Sequence, residues 1–348
     1  HAAILLLTTF LVSTLNLKAF QPDLERNETE ILYLSGTGKD DMVQWDFYCS
    51  DGRNSGKWST IGVPSCWELQ GFGEYNYGHD SRAGKKVFDE HGIYRHKFYV
   101  PTEWKKKEVK IVFEGVMTDA EVKINGKIAG EIHPGAFYEF KYSITNLLKP
   151  GTDNVLEVKV NKVSANESIN YAERNADFWI FGGIYRPVYL QIFPKEHIER
   201  IAIDAKADGT INADIFTESK KATSINLFLS DSKGTIVQHL IPMHLSREEG
   251  RLKVSATAEN ISSWNPEQPN LYILNFELLN KKNEVLHRTS EKIGFRTVEV
   301  IEGDGIYVNG ERIKFKGVNR HSFYPSSGRT TSKALSIEHA KMMKDMNM

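Results

Sequence analysis

The stretch KFKGVNRHSFYPSSGRTTSKALSIEHAKMMKDMNM, residues 314–348, decides how this chain is read. Ile313 and Phe315 alternate with charged neighbours, as a strand entering a sheet does, and Gly317-Val318-Asn319-Arg320-His321 lies at that strand's C-terminal end. After a polar loop, Leu335, Met342, Met343 and Met346 recur on one helical face. Strand, polar loop and helix make one βα step. Polar residues at the C-terminal end of a first barrel strand are where a (β/α)8 fold places its site, so Asn319, Arg320 and His321 are candidate site residues. The alternative for them is an ordinary loop.

Working back from this step, the pattern changes to short alternating strands. Residues 195–300 hold Ile201 and Ile203, then Ile225, Leu227 and Leu229, then Leu252 and Val254, then Tyr272, Leu274, Phe276 and Leu278. About a hundred residues of this kind fit an immunoglobulin-like sandwich. Residues 30–194 alternate in the same way. Val109, Ile111 and Phe113 share a face, and Val122 and Ile124 lead into the hairpin turn Asn125-Gly126. Leu156, Val158 and Val160 come next, and Val188, Leu190 and Ile192 close an all-β sandwich with long decorated loops. Pro194 and Glu302 to Gly305 read as joints, and Asn309-Gly310 forms a second hairpin turn that opens the segment 301–348.

The 348 residues are 40% hydrophobic and 26% charged, with a net charge of -1 and no basic run or stripe. That balance argues against a nucleic-acid partner and suits a small, weakly charged substrate. Ala2 to Leu17 is apolar with no acid or base, which reads as the hydrophobic part of a signal peptide spanning residues 1–20. It is too short for a comfortable membrane span, so the expectation is an exported protein, periplasmic or at the cell surface, with no membrane crossing. Cys49 and Cys66 show no disulfide or zinc spacing and read as buried thiols.

Two loops concentrate aromatic and polar groups. In VPSCWELQGFGEYNYGHD, residues 63–80, Trp67, Phe72, Tyr75 and Tyr77 interleave with Glu68, Asn76 and Asp80. Sugars offer CH faces to rings and hydroxyls to amides or carboxylates, so the loop suits carbohydrate; the alternative is a sandwich rim whose rings are core. In RNADFWIFGGIYRPVYL, residues 174–190, Asp177 precedes Phe178, Trp179 and Phe181. It is either a site carboxylate on a loop tip or one half of a structural pair with Arg186, because an unpaired buried charge is expensive.

Taken together, these loops, the hairpin FEGVMTDAEVKINGKIAG and the segment GVNRH resemble glycoside hydrolase family 2, most closely its bacterial β-galactosidases. The resemblance covers roughly residues 40 to 348. It implies a mainly β chain: a jelly-roll sugar-binding sandwich, an immunoglobulin-like sandwich, and the first βα step of a truncated TIM barrel. By this resemblance Asp177 holds the terminal sugar's hydroxyls and with them a sodium ion, Asn76 reaches into the same site, and His321 contacts the sugar as its ring distorts. Asn319 and Arg320 shape the site. Where many members place an acid after this motif, the chain has Ser322.

The family's nucleophile and acid/base glutamates, and its magnesium ligands, are expected beyond Met348, so no catalytic residue is named. A barrel takes about 250 residues, whereas 44 run from Gly305 to Met348. The implied activity is therefore that of a longer protein: an exo-acting, retaining β-galactosidase working on β-galactosides or related oligosaccharides. A homo-oligomer is compatible with the resemblance. A β-glucuronidase or β-mannosidase of the same family is the alternative, although a glucuronidase needs a cation for its carboxylate and Asp177 favours a neutral sugar. A non-catalytic carbohydrate-binding module is the reading from another class.

Overall fold

The computed structural model describes residues 27–348 apart from 81, 218, 243, 249 and 250. The expected signal segment lies outside the described residues. From residue 27 onward the described chain is mainly antiparallel β-structure, and its alternating runs bury one face each.

Two sheets form the first sandwich. The larger has six strands in the order Trp58–Val63, Val43–Cys49, His91–Val100, Thr152–Asn161, Asp119–Ile124 and Lys127–Ile128. The smaller runs Glu30–Tyr33, Val188–Pro194, Lys107–Phe113 and Phe140–Ser143. Val109, Ile111, Phe113, Leu156, Val158, Val160, Val188, Leu190 and Ile192 are all fully buried between them, joined by Trp45, Phe47 and Trp67. Asn125 and Gly126 take φ of 53° and 80°, the left-handed pair that a tight hairpin turn demands.

The second sandwich packs Ile198–Ala205, Thr210–Thr217, Arg251–Thr257 and His244–Glu248 against Ile236–Leu240, Ala222–Ser230, Tyr272–Asn280 and Val285–Ile293. Ile225, Leu227, Leu229, Leu252, Val254, Leu274, Phe276 and Leu278 fill its core. Both cysteines are buried and free, as expected.

Beyond it, Val298–Ile301, Gly305–Val308 and Glu311–Ile313 form a three-stranded meander turning at Asn309-Gly310. One expectation is corrected here. The alternation at Ile313 and Phe315 does not continue as a strand: residues 314–321 have no regular structure and Phe315 is 72% exposed. A strand persists by pairing, and no described strand lies alongside this segment. The helix does form, as Lys333–Asp345, with the Ser332 hydroxyl accepting the Leu335 N–H at 3.1 Å.

The loop between these pieces is fastened to the first sandwich. Thr330 donates its hydroxyl to the Tyr185 carbonyl at 3.0 Å, and Phe323 stacks on Phe181 with centroids 5.9 Å apart. Gly328 lies so near Cys66 and Leu69 that a Cβ would come within 3.0 Å of both. No helix among the described residues is long and apolar enough to cross a membrane.

Candidate functional site

The two aromatic loops meet. Tyr77 pairs with Trp179 and Asn76 with Ile180 in a two-stranded ribbon, which joins segments about a hundred residues apart in the chain. Their rings divide by burial. Trp67 and Phe72 belong to the core, whereas Tyr75 is 39% and Trp179 47% exposed. Trp179 stands edge-on to Tyr75 at 5.9 Å and to Tyr77 at 5.3 Å, giving an open aromatic shelf.

Asp177 stands at this shelf and is exposed. The Tyr77 hydroxyl donates to its Oδ1, and that bond holds the phenol's pKa above its ordinary value. Asp177 does not pair with Arg186. The Arg186 guanidinium instead donates to the carbonyls of Glu114 and Phe137, at 3.4 Å each. Tyr77 is thus a site residue that sequence reading left without a role, since nothing local links it to an aspartate so distant in the chain.

Asn76 lies in the same ribbon. It is 2% exposed, its Nδ2 donates to the Phe88 carbonyl at 2.7 Å, and its Oδ1 accepts the Phe88 N–H at 2.9 Å. Both ends of the amide clamp the Phe88 backbone. It fixes the ribbon on which Tyr77 sits.

Beneath the shelf lies a buried charge cluster. The Lys162 ammonium sits 2.7 Å from Glu68 and 2.9 Å from Glu90, all three side chains being essentially inaccessible. Lys162 also donates to the Glu74 carbonyl, Glu90 accepts the Glu74 N–H at 3.0 Å, and both Glu68 oxygens accept the Gly182 N–H. Burial raises the Glu68 pKa against the pull of Lys162. The cluster ties the 67–74 turn to Gly182, and so sets the spacing between the two loops.

The GVNRH segment comes to the same side. Asn319, Arg320 and His321 line a cavity of about 380 Å³ together with Phe137, Tyr185, Arg186 and Arg329. His321 is 6.3 Å from the Phe178 ring, next along the chain from Asp177. Arg320 faces the helix, where its Nε donates to His339 Nδ1 at 2.9 Å. Arg329 lies over Phe137 and Phe178 at 5.3 and 4.8 Å, and burial lowers its pKa. Asn319, Arg320 and His321 thus line one cavity, and His321 reaches Phe178, the chain neighbour of Asp177, while Asp177 itself stands on the aromatic shelf. No group of three or more His, Cys, Asp or Glu able to hold a metal occurs among the described residues.

Family models match nearly all of the described chain. "Glycosyl hydrolases family 2, sugar binding domain" covers residues 44–194, "Glycosyl hydrolases family 2" covers 196–296, and "Glycosyl hydrolases family 2, TIM barrel domain" covers 298–348. A β-galactosidase of Clostridium acetobutylicum is 32% identical over 83% of this chain and 33% of its own. A putative β-glucuronidase of Formosa agariphila is 28% identical over 84% of this chain and 34% of its own. The crystal structure of a β-glycosidase from Bacteroides vulgatus superposes with a TM-score of 0.69 at 25% identity, over 91% of this chain and 40% of that one. The chain thus spans about a third of the length of the curated relatives it matches.

Proposed function

Because this chain belongs to glycosyl hydrolase family 2, we propose that the protein carrying it is a retaining exo-glycosidase, most closely a β-galactosidase acting on terminal β-galactose of oligosaccharides or glycans. The observation that carries the sugar-binding part is Asp177, held by Tyr77 beside the exposed rings of Tyr75 and Trp179. A carboxylate takes two hydroxyls of one sugar while a ring covers its apolar face. The β-galactosidase name borne by relatives at about this identity supports galactose as the terminal sugar.

Hydrolysis would proceed by double displacement through a glycosyl-enzyme, with two carboxyl groups about 5 to 5.5 Å apart. Those groups are glutamates in the family and are proposed to come from the remainder of the barrel. Asp177 offers one open anionic oxygen, which fits a sodium ion's preference for hard oxygen ligands. Its other ligands, and those of any magnesium, would come from elsewhere. Export and homo-oligomer formation remain part of this proposal.

A second reading, a β-glucuronidase, is favoured by one feature. Arg186, Arg320 and Arg329 border a single cavity, and guanidinium groups suit a carboxylate. The test is hydrolysis of nitrophenyl β-galactoside and β-glucuronide by the native protein. Faster galactoside cleavage, lowered about a hundredfold in kcat/KM by Asp177→Ala, is the expected result. Faster glucuronide cleavage that falls with Arg329→Ala would install the second reading.

A further inference from the structure

The outer face of the second sandwich carries a groove of about 740 Å³, within the range of ligand clefts. Along Ala222–Ser230 the residues Leu227 and Leu229 point to the core, so Asn226, Phe228 and Ser230 point outward into the groove. Asn275 and Glu277 from the neighbouring strand, and Arg288 and Ser290 from the next, extend this face. Ile236 and His239 lie on the opposite side, and Glu28 and Thr29 of the N-terminal segment contribute one wall.

The lining is amphipathic in a particular way. Phe228 and the 49%-exposed Ile236 supply an apolar surface, with His239 edge-on to the Phe228 ring at 4.8 Å. The central charges are closed on each other: Arg288 Nε donates to Glu277 Oε1 at 2.9 Å, and Asn226 Nδ2 donates to Glu277 Oε2 at 3.2 Å. Asn275 Nδ2 is spent on the Phe228 carbonyl and the Ser230 hydroxyl. Both amide nitrogens are thus engaged within the sheet, and Ser290, exposed and paired with Asn275 across the strands, adds a hydroxyl to the same face.

We propose that this groove binds a neutral saccharide, with the CH face of one sugar ring on Phe228 and Ile236 and its hydroxyls on Asn226, Asn275 and Ser290. Amide and hydroxyl groups around an apolar surface match a polyol with one hydrophobic face. A charged ligand is disfavoured, because the central ion pair is already complete and would have to be broken at a cost. The proposal does not rest on the glycosidase reading. It would give the protein a second hold on a glycan, through a different domain from the one bearing Asp177.

The test is titration of the native protein with galactotetraose and with cellotetraose, followed by calorimetry. Asn226→Trp and Ser290→Trp replace exposed residues and fill the groove, so both should fold. Each is expected to weaken binding of one tetrasaccharide by about tenfold, as should Phe228→Ala. Asp177→Ala should keep that binding, and Asn226→Trp should leave nitrophenyl glycoside hydrolysis unchanged. Absence of binding by either sugar, as when a peptide segment or a second copy covers this face, overturns the proposal. So does binding that Asn226→Trp and Ser290→Trp leave intact but Asp177→Ala removes.

Discussion

His287 is 1% exposed, and its Nδ1 accepts the Ile198 N–H at 3.0 Å while its Nε2 lies 3.0 Å from the Thr29 hydroxyl. The ring is neutral in this arrangement, and burial pushes its pKa down to about 3. A depressed pKa on a base means that the unfolded chain takes up a proton first. The stability tied to His287 is therefore complete above about pH 6.5 and is lost as pH falls toward about 3, by up to roughly 1.4 kcal/mol per pH unit. Denaturant titrations from pH 7 to pH 4 should show this slope, and His287→Gln should flatten it. An unchanged slope would remove His287 as its source. Single residues of this kind are poorly legible in sequence. Asp177 stood out there because a lone acid among aromatic neighbours needs a partner, but that partner, Tyr77, became visible only when the chain folded.

The elements were more readable, where one local rule decided them. Asn125-Gly126 and Asn309-Gly310 form hairpins because both residues of such a turn need positive φ. Val109, Ile111 and Phe113 mark a core face because a strand repeats every two residues. The same rule misled at Phe315, where alternation exists but no described strand offers hydrogen bonds. The Lys162 cluster was out of reach for a different reason: Glu68, Glu90 and Lys162 are ordinary charges until three segments converge. Removing the cation leaves two buried carboxylates, so Lys162→Met should cost about 3–5 kcal/mol in chemical denaturation. Gly182 gives a narrower test. A Cβ there would come within 2.1 Å of the Trp67 ring, so Gly182→Ala should cost about 1–3 kcal/mol and displace the Asp177 loop. If the variant keeps both stability and Trp fluorescence, this contact is not as tight as described.

Across the whole molecule, the two sandwiches have separate cores, each closed within its own stretch of chain. Such independence was foreseeable from the two sets of alternating runs, whereas the fastening of residues 323–330 onto the first sandwich was not, since it joins Thr330 to Tyr185. Limited proteolysis should spare both sandwiches and cut first within 314–321, which no described strand protects. Thr330→Ala should extend cutting into the 323–330 loop; resistance there would show that Phe323 and Gly328 suffice to hold it. The same clasp sets an order of events in time. Its contacts, Thr330 on the Tyr185 carbonyl and Phe323 on Phe181, need a surface that the first sandwich must already present. Sandwich cores assemble first, and the candidate sugar site, divided between the clasped pieces, is completed last. Pulse-labelled amide exchange during refolding would then find protection at Thr330 lagging behind protection at Ile111.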